Sequence, residues 1–236
     1  MAILLSASCI NAKTLVVYYS FTNNVHTIVN NLHTLIDADV IRIEPAEKGI
    51  DYADNNYAAG SALISAIRNN PNDVASYPAI DPVEVNLDEY DMVIVAAPLW
   101  WSQMAAPLQT FLFQHGKEMK GKRIGLIVSS ASSGISSVVA DAKRLIPQGI
   151  FLEPNLWIRS SQVSNCHSMI EQWLKDIDYT AITSSISAVG SDGEEEVIAR
   201  YNMGGQRIAA EQQIVGISIT QYRKAGKTYS RKSIVK

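Results

Sequence analysis

From Thr14 onward the chain alternates short β-rich runs with segments of helical length, and this alternation constrains the fold more than any other feature. The strand runs are TLVVYY (14–19), DVIRIE (39–44), DMVIVAA (91–97), KRIGLIVS (122–129) and a weaker one within FLEPNLWI (151–158). Several are almost continuously apolar, which suits strands covered by helices on both faces. Between them, Val25, Ile28, Val29, Leu32 and Leu35 recur at helical spacing in 23–36. Met104, Leu108, Phe111 and Leu112 do so in 103–115, and Ile135, Val138, Val139, Ala142 and Leu145 in 134–146. Further helices are expected over 53–68 and 165–176. The pattern predicts an α/β domain over residues 13–180: a doubly wound, five-stranded parallel sheet with about five helices. With 236 residues, 47% of them hydrophobic, the chain can bury one such core and carry a small appendage.

Charge and cysteine usage remove several function classes. Against 20 Lys+Arg stand 23 Asp+Glu, and no basic run marks a groove that tracks phosphates, so no nucleic-acid partner is expected. Cys9 and Cys166 are too few for a disulfide framework or a zinc site, and no apolar run reaches the ~18–20 residues of an integral membrane segment. The charge is unevenly spread. Residues 1–180 carry 12 basic and 18 acidic side chains (−6), whereas 181–236 carry 8 and 5 (+3), which marks the tail as a different unit.

The two ends read differently from the body. MAILLSASCINA (1–12) is either an edge strand or the remnant of a signal peptide, with an apolar core and small residues before a break at Ala12/Lys13 but no basic leader. The second reading is preferred, with Cys9 removed in the mature protein. Beyond Tyr179 the composition shifts to Ser, Thr and short β patterns. Turn signals at Ser191-Asp192-Gly193, Met203-Gly204-Gly205-Gln206 and Lys224-Ala225-Gly226-Lys227 predict a small β module over 181–236 that ends in a hairpin.

In a doubly wound sheet, ligands bind beyond the carboxyl ends of the strands, so the loops there carry the chemistry. The first, Ser20-Phe21-Thr22-Asn23-Asn24-Val25, leads directly into a helix. It reads either as an ordinary capped helix start or as an anion site made of backbone N–H groups and short polar side chains, without a Lys or Arg. The second, Pro98-Leu99-Trp100-Trp101-Ser102, sets two indoles side by side. Either one tryptophan caps the core and the other sits on the surface, or a flat aromatic ligand lies against them. The third, Ser129-Ser130-Ala131-Ser132-Ser133-Gly134, is small and polar. Together the loops offer an anion nest, an aromatic wall and a hydrogen-bonding rim.

Over roughly residues 13–178 these motifs resemble the flavodoxin superfamily, in particular a flavodoxin-like branch with a Gly-x-Pro-Ile-Trp-Trp loop. TLVVYYSFTNN stands where that branch has a strand followed by Ser-x-Thr-Gly-Asn-Thr, AAPLWWSQMAAPLQTFL matches its second loop and helix, and SSASSGISS stands in place of its third loop. The resemblance implies strand order 2-1-3-4-5 and an FMN cofactor. Ser20, Thr22, Asn23, Asn24 and Val25 would hold the phosphate; Pro98, Leu99, Trp100, Trp101 and Ser102 would flank the isoalloxazine; Ser129, Ser130, Ser132, Ser133 and Gly134 would border its polar edge. It further implies electron transfer with an unidentified redox partner protein. Stacked indoles and an acidic domain would then lower the flavin potential.

Two departures stand out: the family's Gly is Asn23 here, and its last Thr is Val25. Asn tolerates a left-handed backbone, whereas Val25 supplies no hydroxyl, a loss of ~1.5–3 kcal/mol or one to two decades of affinity. The alternatives are an NAD(P)H-dependent FMN or quinone reductase and a binding module that keeps the fold without flavin. No Walker phosphate loop, dinucleotide fingerprint, receiver-type Asp or Gly-x-Ser-x-Gly elbow is present. His26 reads as a partly exposed helix residue near the nest, His33 and His115 as surface residues, and Cys166-His167 as helix-start packing. Tyr52, Tyr57 and Tyr77 fall around the long insertion 45–90, either a lid or plain surface structure.

The tail resembles C-terminal modules on exported proteins of some anaerobic Gram-negative bacteria, on the strength of YNMGGQRI (201–208) and GISITQY (216–222). With the reading of residues 1–12, this implies export to the periplasm or cell surface, the alternative being a cytoplasmic protein. A module of ~50 residues with few large apolar groups is marginal alone and is expected to dock on another surface.

Overall fold

The computed structural model describes residues 13–184, 196–202, 207–208, 216–224 and 227–235. The expectations for residues 1–12 and for the turns at 191–193, 203–206 and 225–226 fall outside these. By its internal contacts the chain divides into two units, Met1–Ile186 and Ser187–Lys236.

In the first unit, strand and helix alternate in the order β1 (Thr14–Tyr18), α1 (Asn24–His33), β2 (Asp39–Arg42), α2 (Asp54–Asn69), β3 (Met92–Trp100), β4 (Gln103–Met104), α3 (Ala106–His115), β5 (Arg123–Ser130), α4 (Ser136–Leu145), β6 (Ile150–Phe151), β7 (Leu156–Arg159), α5 (Cys166–Asp176) and α6 (Tyr179–Ser184). The central order is β2-β1-β3-β5-β6, every pair parallel, with β7 also on β5. This is the expected doubly wound order, the fourth long strand being β5.

Alternate residues of each central strand feed two separate cores, as a sheet covered on both faces requires. Leu15, Val17, Val93, Val95, Leu126 and Val128 meet Leu108, Phe111 and Leu112 of α3 and Val138, Ala142 and Leu145 of α4. Val16, Tyr18, Ile94 and Ile127 meet Val25, Ile28, Val29 and Leu32 of α1 and Ile170 and Trp173 of α5. The four apolar residues of α1 fall one helical turn apart on its buried face, the periodicity that makes this segment a helix.

The structure differs from the sequence reading at two places. The 103–115 helix begins only at Ala106, with Pro107 in its first turn where a missing N–H costs nothing. Gln103 and Met104 instead form β4, which folds back antiparallel on the end of β3, pairing Leu99 with Met104 and Trp100 with Gln103. The two residues between, Trp101 and Ser102, have φ of 45° and 64°. The fifth strand is also broken, into β6 on the start of β5 and β7 on its end.

The second unit has four antiparallel strands, β8 (Glu196–Asn202), β9 (Arg207–Ile208), β10 (Gly216–Lys224) and β11 (Lys227–Val235), in the order β11-β10-β8-β9. β10 and β11 pair from Gly216↔Val235 to Lys224↔Lys227, a hairpin where Lys224-Ala225-Gly226-Lys227 suggests one. Among the described residues, no helix is long and apolar enough to cross a membrane.

Candidate functional site

The carboxyl ends of β1, β3 and β5 lie side by side in the sheet, since Tyr18 pairs with Ala96 and Pro98 with Ser129. The three polar loops read from the sequence therefore share one edge.

The first loop ends at Asn23, whose φ of 63° makes the left-handed turn into α1. No side chain caps the helix and no acidic residue lies in its first turn. Among the described residues, the backbone N–H groups of Asn24 and Val25 meet no acceptor. The buried Ser20 hydroxyl accepts from the His26 N–H at 3.2 Å, while Thr22 and Asn23 are exposed. Arg42, at the end of β2, donates to the Ser20 carbonyl at 3.3 Å and pairs with Glu44 at 2.7 Å. The fold thus brings a cation to a loop whose sequence has none. Helix dipole, free N–H groups and hydroxyls make this an anion-compatible nest.

Of the residues read as holding a phosphate, Val25 has its side chain in the core. It is 2% exposed and packs in the α1 core, so only its N–H faces the loop. Val25→Thr would place a hydroxyl in that core. It is expected to lower stability by about 1–2 kcal/mol without tightening anion binding. Asn23→Gly, which relieves a positive φ, should stabilise or be neutral. Urea unfolding of both variants, with an FMN titration, checks this.

The second loop is the β3–β4 hairpin. Trp100 is half-buried in a cluster of aromatic rings: edge-on to Tyr19 (centroids 5.5 Å) and Phe21 (6.3 Å) and tilted against Tyr52 (4.9 Å). Trp101 stands edge-on to Trp100 at 6.2 Å and to Tyr57 at 6.1 Å, and is 38% exposed. It lies over α2 where residue 60 is glycine, and a Cβ there would come within 2.7 Å of the indole. The chain's own rings therefore arrange the tryptophans as one core cap and one surface residue. Trp101 is the more open of the two indoles. Burial pushes the Tyr19 and Tyr52 phenols up, with Tyr52 and Glu44 adding to it at Tyr19 and Glu47 at Tyr52, so both are neutral near pH 7.

The insertion after β2 thus closes over the tryptophans through Tyr52, Tyr57 and Gly60. Asn55, Asn56 and Tyr57 are three successive left-handed residues. Of the seven non-glycine residues with positive φ among those described, six border this edge: Asn23, Asn55, Asn56, Tyr57, Trp101 and Ser102. Backbone strain of this kind concentrates at ligand clamps and switches.

Beneath the hairpin runs a polar network absent from the sequence reading. Asp141 of α4 is 6% exposed, yet its carboxylate accepts from the Met104 N–H at 2.9 Å and from Gln103 Nε2 at 3.5 Å. Gln109 donates to the Met104 carbonyl at 2.7 Å, and Arg144 donates to Gln109 Oε1 at 2.9 Å and to the Tyr77 hydroxyl at 3.0 Å. Arg144 also stands 3.5 Å from Asp141. From α2, Arg68 donates to Gln103 Oε1 at 3.2 Å and to the Trp101 carbonyl at 3.3 Å. Burial pushes the Asp141 carboxyl up, against the opposing pull of the Met104 N–H and Arg144. Helical periodicity alone marks position 141 as neighbour to the apolar Val138, Ala142 and Leu145, and that was the available signal.

In the third loop, Ser129 and Ser130 are buried, and Ser132, Ser133 and Gly134 are exposed. The Ser130 hydroxyl donates to the Ser133 carbonyl at 2.7 Å and accepts from Trp157 Nε1 at 2.8 Å, so it holds the loop's shape. His26 is likewise occupied, Nδ1 with the Tyr18 hydroxyl at 2.7 Å and Nε2 with Asn30 at 3.2 Å. Cys166 is buried at the start of α5, and burial pushes its thiol up, which suits packing. No cluster of metal-ligating side chains occurs among the described residues.

A family model described as flavodoxin matches residues 13–177. Among solved structures, the chain is similar to a proposed flavoprotein of Bacteroides eggerthii, with 24% identity, TM-score 0.57, and coverage of 71% of this chain and 99% of that one. It is also similar to a proposed flavoprotein of Bacteroides uniformis (24%, 0.56, 70% and 99%). A Lactobacillus acidophilus flavoprotein solved in complex with FMN is similar at 20% identity and TM-score 0.51, over 65% of this chain and 97% of that one. These likenesses show the fold. No curated protein matches significantly.

Proposed function

The chain belongs to the flavodoxin family, and from that premise we propose that it binds FMN at the shared edge of β1, β3 and β5 and serves in electron transfer. The observation that carries this is the start of α1: an uncapped helix with free N–H groups at Asn24 and Val25 and the hydroxyls of Ser20 and Thr22, one loop away from Trp100 and Trp101. These groups suit a phosphate and the ring attached to it.

When bound, the flavin takes up and releases electrons, and the chain supplies position and electrostatics. Ser20, Thr22, Asn23, Asn24 and the Val25 N–H hold the phosphate. Pro98, Leu99, Trp100, Trp101 and Ser102 flank the ring, Trp101 offering the open indole. Ser129, Ser132, Ser133 and Gly134 border its polar edge, with Ser130 fixing that loop. Residues 1–180 carry 12 basic and 18 acidic side chains, a balance that disfavours an added negative charge. The flavin potential is therefore lower than that of free FMN, and a separate redox protein is the partner.

Titration of the apo-protein is the direct test. FMN fluorescence is expected to be quenched by the indole, and FMN to bind at least about tenfold more tightly than riboflavin because the phosphate is held by charge-assisted hydrogen bonds. Equal binding of the two would remove the phosphate assignment. A reductase would need open room above the ring, and Tyr52 and Tyr57 crowd the tryptophans. NAD(P)H oxidation with quinone is accordingly expected at the rate of free FMN, and turnover above it would favour the enzyme.

The location is a further part of this reading. The likeness of 201–208 and 216–222 to tails of exported proteins supports export. Sequencing the mature N-terminus tests it, and a cytosolic protein beginning at Met1 would overturn it.

A further inference from the structure

A buried carboxylate usually needs a reason, because well-packed apolar residues of similar size are often at least as stabilising. Asp141 is such a carboxylate, and its contacts converge on one object. Its two oxygens take the Met104 N–H and the Gln103 amide, the two residues of β4. Those residues pair with Leu99 and Trp100 of β3 across the two-residue turn. Gln109 holds the other backbone group of Met104, and Arg144 ties Gln109 to Asp141. On the opposite side Arg68 holds Gln103 and the Trp101 carbonyl. The hairpin that presents both indoles is thus clamped from α4 and from α2.

We propose that Asp141 is the positioning residue of the site: by fixing β4 through the Met104 N–H and Gln103, it sets the placement of Trp100 and Trp101 and hence the affinity for an aromatic ring. The consequence for flavin affinity rests on the flavin reading above, whereas the consequence for the indoles does not. Without the carboxylate the Met104 N–H is left buried and unpaired, the turn relaxes, and the indoles lose their mutual edge-on geometry. Because Asp141 acts through the hairpin and not on the phosphate nest, its removal changes FMN and riboflavin binding alike.

The test compares the full chain with Asp141→Leu and Asp141→Asn. Leucine removes the acceptor at similar volume, and asparagine keeps an oxygen for the Met104 N–H. Near-UV circular dichroism of the ligand-free proteins reads the indole geometry, far-UV dichroism and thermal melting report folding, and titrations use FMN and riboflavin. Asp141→Leu is expected to lose much of the tryptophan near-UV signal and to bind both flavins about tenfold more weakly, the scale of one lost aromatic contact. Asp141→Asn is expected to recover most of both. An Asp141→Leu protein that keeps the wild-type near-UV signal overturns the proposal, as does an Asp141→Asn protein as impaired as the leucine variant. Should the leucine variant fail to fold, the asparagine variant decides by the same two readouts. If wild-type protein binds neither flavin, the flavin reading fails, and the near-UV comparison still decides the role of Asp141.

Discussion

Replacing Trp100 and Trp101 together by alanine is expected to weaken FMN binding by about one to two decades. Each aromatic contact is worth about 0.5–1.5 kcal/mol beyond its buried area, and two of them convert to that range of affinity. The two residues contribute unequally. Trp100 is held among Tyr19, Phe21 and Tyr52, so its removal also opens a cavity and lowers stability. Trp101, more than a third exposed and resting over Gly60, should lose flavin contact with little change in the melting temperature. Riboflavin should be affected as strongly as FMN, because the phosphate nest is untouched. Fluorescence titration of the double variant and of Trp101→Ala measures both effects, and unchanged affinity in the double variant would refute the stacking role.

Gly116→Ala is expected to be the most destabilising single methyl addition among the described glycines. Gly116 follows α3 at the point where the end of α4 crosses it, and a Cβ built there falls onto the Leu145 carbonyl oxygen and 2.9 Å from its carbon. Backbone cannot rotate aside as a side chain can, so α3 and α4 must separate, and these helices carry Phe111 and Leu145 of one core. The cost should reach about 3 kcal/mol, at the upper end of overpacking, and lower the melting temperature by roughly 6–12 °C for a domain of this size. Gly134→Ala is the control: nothing lies within 4 Å of its Cβ, and a change below about 0.5 kcal/mol is expected. Thermal melts of the two variants make the comparison.

The main elements were legible because each carries a strong period. The apolar runs of β1, β3 and β5 and the spacing of Val25, Ile28, Val29 and Leu32 leave little choice of element. What escaped depends on contacts remote in sequence. β4 is two residues long, and Gln103-Met104 leads so smoothly into an amphipathic pattern that only Pro107 hints at a later helix start. Asp141 looks like a polar residue of a surface helix until Met104, 37 positions earlier, is seen to need an acceptor. Arg42 reaches the first loop because β2 lies beside β1, a pairing that no local motif expresses. The three loops could be placed from strand order alone. The way Tyr52 and Tyr57 cover the tryptophans could not, since it depends on the path of the insertion.

The turn of the β3–β4 hairpin has a consequence for any attempt to harden this protein. A two-residue connection with both φ values positive is the place where Asn-Gly costs least, and here it is built from Trp101 and Ser102. A bulky aromatic residue in that conformation is a poor choice for stability. Trp101→Asn with Ser102→Gly should therefore yield a sturdier hairpin, and at the same stroke remove the open indole. Screens that select for heat resistance would drift toward that pair, so thermostable variants of this chain would be enriched for proteins in which the proposed flavin site is weakened. Selection for stability and selection for binding pull in opposite directions at these two residues.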